Sequence, residues 1–353
     1  MISDGVNEGG IAYYDNLINE MLKNDIKPLV TLYHWDLPSG ISNGWFNSSI
    51  PEYFKDYSDL MFTRFADRVH SWITFNEPAQ FIQPYNDGGN PTGADGYDFQ
   101  EGVTNYIAGK NILLSHGLAV KLYREKFGSP GKIGITLNGG YNEPQTRYEV
   151  DDLEAGVNNN VFFMGYWAHP IYKRDYPELM RYRIGERIQP FTEAELDLLE
   201  GSADFFGINY YTSGITFACN HWPWCNGGIG NYCDNPTSCG AGCESWKPAG
   251  SPWLYVTPWG IRKLVTRMYF EYGSPIFITE NGYSTVDSDG IHPAKDADTR
   301  GDYFKQHINQ LLRSKEMDQV EVIGYAAWSL MDNFEWGAGY AERFGIHWLR
   351  FDK

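Results

Sequence analysis

Trp72-Ile73-Thr74-Phe75-Asn76-Glu77-Pro78 is a short apolar run that halts on two polar residues and a proline. Its β-branched and aromatic residues read as a strand buried on both faces. Proline cannot donate to a sheet ladder, so the strand ends at Asn76-Glu77. A carboxylate in that position is unusual, because a core strand does not readily bury an unpaired charge.

Runs of the same kind recur at Pro28–Tyr33, Ile133–Leu137, Phe205–Tyr210, Pro275–Thr279 and Ile323–Trp328. Helical periodicity fills the intervals. Ile11, Tyr14, Ile18, Met21 and Leu22 share one face, and Pro51 opens a helix whose apolar face reads as Tyr53, Tyr57, Leu60, Met61 and Phe65. A long helix runs through Ile107, Leu114, Leu118 and Leu122, and a mostly helical stretch spans about 151–200, where Thr192 to Glu195 forms a capping box. Thr257-Pro258 starts a helix that Gly273 ends, and another runs through Phe304, Ile308, Leu311 and Leu312.

Strand-then-helix units with buried strands require a parallel sheet covered by helices, either an open doubly wound sheet or a (β/α)8 barrel. No Gly-x-Gly-x-x-Gly or P-loop follows any strand. Polar and aromatic residues instead gather just past the strand ends, as His34-Trp35, Asn76-Glu77, Asn209 with Tyr211, Glu280-Asn281, and Trp328. Barrel enzymes place their chemistry on that face. Residues 1–353 read as a single catalytic domain, without internal repeats or a low-complexity linker.

Composition narrows the function classes. With 42% apolar and 16% aromatic residues the chain can bury a large core, and its formal charge of −17 disfavours nucleic acid and anionic membrane surfaces. No apolar run has the length of a membrane span, and Met1–Gly10 lack the pattern of a signal peptide. The five cysteines, Cys219, Cys225, Cys233, Cys239 and Cys243, fall within 25 residues without zinc-type spacing. Two disulfides stapling one loop, with one cysteine left over, are the expectation. They imply an extracellular location for the full-length protein. Five reduced thiols in a cytosolic loop are the alternative. The eight histidines show no metal-ligand pairing, so neither a metal nor another cofactor is expected. Asp287-Ser288-Asp289-Gly290 lacks the bidentate Glu of a calcium loop and reads as a turn.

Two carboxylates stand out. Glu77 lies in Asn76-Glu77-Pro78 and Glu280 in Thr279-Glu280-Asn281-Gly282, each at a strand tip. A single glutamate there also serves as a helix cap or a surface ion pair. Two such tips, each followed by a chain-bending Pro or Gly, point to paired-carboxylate chemistry.

Together with Tyr33-His34-Trp35-Asp36-Leu37-Pro38, Asn209-Tyr210-Tyr211 and Ala327 through Trp336, these motifs occur in the order and at spacings that resemble glycoside hydrolase family 1. The wording around Trp259–Lys263 and Trp328–Trp336 is most similar to animal members. The resemblance implies a (β/α)8 barrel and a retaining β-glycosidase acting on β-glucosides or related β-glycosides, with a small-molecule or oligosaccharide substrate as partner. It implies Glu77 as acid/base, Glu280 as nucleophile and Tyr211 as a hydrogen-bond donor to Glu280. It further implies substrate contacts from His34, Trp35, Asn76, Asn209, Trp328, Glu335, Trp336 and Phe344. In relatives that cleave 6-phosphorylated sugars the position of Glu335 is not acidic, so an unphosphorylated glycone is expected. The competing readings are a thioglucosidase and a sugar-binding relative without catalysis.

The chain departs from the family at its ends. Met1 stands just before the helix leading into what the resemblance makes strand three, and the closing helix after Leu349 has no counterpart. The expectation is about six of the eight strands, truncation at both ends and, for residues 1–353 alone, low solubility and no measurable turnover.

Overall fold

The computed structural model describes residues 5–82, 100, 102–218, 234, 238–241, 245–286 and 293–351. In chain order the strands are β1 (Leu29–Tyr33), β2 (Ser71–Asn76), β3 (Lys132–Asn138), β4 (Asn142–Pro144), β5 (Phe206–Asn209), β6 (Gly214–Ala218), β7 (Ser238–Ala241), β8 (Ile276–Glu280), β9 (Thr285–Val286), β10 (Val322–Tyr325) and β11 (Glu342–Arg343). The helices are α1 (Glu8–Lys23), α2 (Ile50–Phe65), α3 (Pro78–Phe81), α4 (Thr104–Phe127), α5 (Val150–Asn160), α6 (Tyr166–Tyr172), α7 (Glu178–Ile184), α8 (Glu193–Leu199), α9 (Pro258–Tyr272) and α10 (Pro293–Met317).

Six parallel strands form the main sheet in the order β1-β2-β3-β5-β8-β10. The order never reverses along the chain. That is the progression of a (β/α)8 barrel and lacks the switch point of a doubly wound sheet. Among the described residues β1 and β10 are the two edges of this sheet, and no strand pairing closes it into a barrel.

The chain falls into two compact units, one of residues 1–137, 165–206 and 223–234, the other of residues 138–164, 207–222 and 235–353. In the first, β1 pairs with β2 from Leu29 opposite Ser71 to Tyr33 opposite Phe75, and β2 pairs with β3 from Ser71 opposite Lys132. Every residue of β2 is buried, as a strand flanked on both edges requires. Helix α2 packs on α4, but through a different face from the one its periodicity suggests. Ile50, Phe54, Ser58, Phe62 and Phe65 are buried, whereas Tyr53 and Tyr57 are 37% and 36% exposed. The small Ser58 sits in that face and satisfies its hydroxyl on the carbonyl of Phe54. Pro51 takes the second helical position, after Ile50.

In the second unit β8 pairs in parallel with β10, and a separate three-stranded sheet runs β4-β6-β7. That small sheet has no counterpart in the sequence expectation, because Asn142-Glu143-Pro144 offers neither length nor apolar alternation. Helix α9 begins at Pro258 and ends at Gly273, whose φ of 66° is the left-handed turn-off glycine allows. Helix α10 buries Tyr303, His307, Leu311 and Ser314 and leaves Ile308 and Leu312 exposed. The capping box forms as the sequence predicts, with Thr192 Oγ1 accepting from the N–H of Glu195. Cys219, Cys225, Cys233 and Cys243 lie outside the described residues, as do Asp287 to Gly290. Of Cys239 only its place in β7 is described.

Candidate active site

In the first unit the site begins where β2 ends. Pro78 starts α3 at once, and Glu77 takes the turn between them with φ 51° and ψ 61°, a left-handed conformation uncommon for a long side chain. Its N–H still bonds the carbonyl of Thr136 at 3.0 Å, so the last rung of the β2–β3 ladder fixes the carboxylate's backbone. Glu77 is 8% exposed and Asn76 4%. Neighbouring β1 delivers His34 and Trp35 to the same place. The indole N–H of Trp35 donates to the carbonyl of Asn76 at 2.9 Å, and Asn76 Nδ2 lies 3.2 Å from His34 Nε2. Burial lowers the pKa of His34, an effect partly offset by Asp36. A neutral ring can accept at Nε2 from the Asn76 amide. In the same unit Tyr33, Trp45, Phe54, Phe75 and Phe81 form an aromatic cluster, with Phe54 stacked on Phe75 at 4.4 Å.

The second unit holds the other carboxylate. Glu280 closes β8, 8% exposed, and Tyr211 donates its phenol to Glu280 Oε2 at 2.6 Å. A hydrogen bond to the charged form favours ionisation. The Tyr210 N–H bonds the Glu280 carbonyl at 2.9 Å. One residue earlier, Thr279 Oγ1 donates to Asn209 Oδ1 at 2.7 Å. Asn209 therefore ties the Tyr211 loop to β8. Beyond Glu280, the Trp328 N–H bonds the Asn281 carbonyl at 2.9 Å. The chain passes so close here that a Cβ on Gly282 would stand 2.1 Å from the carbonyl oxygen of Trp328, which leaves room only for glycine.

The segment after Trp328 is held by a buried ion pair. Asp332 accepts from the N–H groups of Gly345 and Leu349 at 2.9 and 3.0 Å and from Arg343 Nη1 at 3.2 Å. Glu335 lies in that segment, partly buried. Burial first, and the nearby Glu342 second, push its pKa up to about 7, while a hydrogen bond with the Trp328 side chain acts in the opposite direction. Trp336 is 38% exposed. Phe344 belongs to the core: it is 2% exposed among Leu254, Tyr283 and Tyr303, and its ring meets Tyr211 edge-on at 5.8 Å.

The structure thus gathers His34, Trp35, Asn76 and Glu77 in one unit, and Asn209, Tyr211, Glu280, Trp328, Glu335 and Phe344 in the other. It adds Trp253, which no sequence motif singles out. Its indole is half-exposed and meets the Tyr211 ring edge-on at 5.6 Å. Among the described residues no group of His, Cys, Asp and Glu could hold a metal ion, and no helix is long and apolar enough to cross a membrane.

Residues 2–353 match the family described as glycosyl hydrolase family 1. The chain is 38% identical to myrosinase 1 of Brevicoryne brassicae, over 97% of this chain and 74% of that protein. It is 36% identical to human lactase/phlorizin hydrolase, over 98% of this chain and 18% of that one. The crystal structure of a rice β-glucosidase superposes with a TM-score of 0.92 at 33% identity, covering 99% of this chain and 77% of the rice chain. The chain belongs to glycosyl hydrolase family 1 and is a glycoside hydrolase.

Proposed function

We propose that the protein hydrolyses terminal β-D-glucosides, or closely related unphosphorylated β-glycosides, with retention of configuration. Glu280 attacks the anomeric carbon. Glu77 first protonates the departing oxygen and then deprotonates the water that releases the glycosyl-enzyme. The observation that carries this reading is the 2.6 Å donation from Tyr211 to Glu280, which favours the charged carboxylate a nucleophile needs. Glu77 is buried at the turn between β2 and α3, where its backbone is fixed for the acid and base roles. Asn76 bonds the sugar 2-hydroxyl, a contact that strengthens as the ring approaches an oxocarbenium ion. Trp328 offers an apolar plane for the sugar's C–H face. Glu335 accepts from outer hydroxyls and repels a phosphate.

Azide rescue tests the two roles. In the full-length protein, with an aryl β-glucoside and azide, Glu77→Ala gives the β-glucosyl azide, because Glu280 still forms the covalent intermediate. Glu280→Ala gives the α-anomer by direct displacement. The same anomer from both variants would overturn the assignment.

A further inference from the structure

We infer that Tyr303, on α10, is a positioning residue for Glu280, acting through Tyr211 and Asn281. This rests on the reading of Glu280 as nucleophile. Tyr303 is 1% exposed, and its hydroxyl donates to the backbone carbonyl of Tyr211 at 2.7 Å. The same oxygen accepts from Asn281 Nδ2 at 3.0 Å. One atom therefore joins the residue whose phenol reaches Glu280 to the residue that follows Glu280 in the chain.

The junction is saturated on every side. Asn281 Nδ2 also donates to the Tyr210 carbonyl at 2.7 Å, and Asn281 Oδ1 accepts from the Tyr325 hydroxyl at 2.7 Å. Both amide protons and the amide oxygen are used, which fixes which way the amide points. The Tyr303 ring is held in turn by His307, 3.8 Å away between ring centroids, whose Nδ1 lies 2.7 Å from the Tyr303 carbonyl. Asn281 is itself fully buried. Removing the Tyr303 hydroxyl leaves the Tyr211 carbonyl and one Asn281 proton without this partner in a dry place, and such groups move to find others. Any movement of the Tyr211 backbone lengthens the phenol–carboxylate bond. Misplacement by about 1 Å at a reacting centre commonly costs on the order of 10²-fold.

The experiment uses the full-length protein and 2-deoxy-2-fluoro-β-D-glucosyl fluoride, reading covalent labelling of Glu280 by intact mass and peptide mapping across concentration and pH. Tyr303→Phe is expected to slow labelling about 10–100-fold at saturation, with the half-saturating concentration moving less than about threefold. The acidic limb of its pH profile is expected to move up, as in Tyr211→Phe, since both weaken the donor on Glu280. In the double variant the Tyr303→Phe loss shrinks to less than about threefold, because its route through Tyr211 is already gone. Losses that multiply, or a Tyr303→Phe variant that labels within twofold of the parent, would overturn the inference. Should Tyr303→Phe not fold, Tyr325→Phe loosens the same amide from the partly buried end of β10. It is expected to give a smaller loss that likewise vanishes in Tyr211→Phe, and a loss that persists there counts against the inference. If the unaltered full-length protein is not labelled at all, the glycosidase reading falls first.

Discussion

At Glu335 burial and the neighbouring Glu342 both oppose ionisation, and the folded carboxyl titrates at about 7 in place of 4.5. Below pH 4.5 it is protonated whether the chain is folded or not. As pH rises from there through 7, the unfolded chain releases its proton while the folded one resists, so stability is lost over that window. The carboxyl is partly open to water, which makes the slope shallower than a fully buried group would give. Glu335→Gln removes this titration. Melting temperatures measured from pH 4 to 8 should show the variant gaining on its parent between pH 4.5 and 7 and holding a constant margin above; a pH-independent margin would refute this. At this scale the paired glutamates were legible because a charge ending an apolar strand breaks a packing rule. The junction at Tyr303 and the indole of Trp253 were not, since a buried tyrosine and a loop tryptophan break none.

Among the elements, α4 and α10 each carry a histidine deep in their packed faces. Burial is the main cause that lowers His116 to about 3 and His307 to about 4. Both stay neutral in the folded chain while their unfolded counterparts take up protons below 6.5. Stability is therefore complete above pH 6.5 and falls as pH drops toward those values. His307→Phe keeps a ring against Tyr303 and removes one of the two titrations. Denaturation midpoints from pH 7 to 4 should fall less steeply for it than for the parent, and an unchanged slope would count against the account. Helices also show why strands were easier to read than helix faces. The six main strands stood out as apolar runs, five of them within a residue of their observed limits, whereas the one expected through Trp328 ends at Tyr325. In α10 and α2, however, the buried face is completed by His307, Ser314 and Ser58, whose Nδ1 and two hydroxyls find partners inside, while Ile308, Leu312, Tyr53 and Tyr57 are more exposed. Hydropathy alone assigns those residues the opposite way.

For the whole molecule, open sheet edges and net charge act in opposite directions. β1 and β10 are edges of the main sheet, and Ile323 on β10 is 42% exposed. An apolar edge is a template for another strand, whereas a net charge of −17 on each copy keeps copies apart until salt screens it. Sedimentation velocity should show association that grows with protein concentration and with ionic strength, and Ile323→Lys should suppress it. A single monomeric species at all salt concentrations would show that the edges are inert. The left-handed backbone at Glu77 bears on the molecule's history in another way. That conformation suits glycine or asparagine and costs a long side chain on the order of 1 kcal/mol. Relief of that backbone gives the position a reason to change. Under the proposed role of Glu77, a lineage that kept the fold but no longer needed the chemistry would be free to relax this turn early.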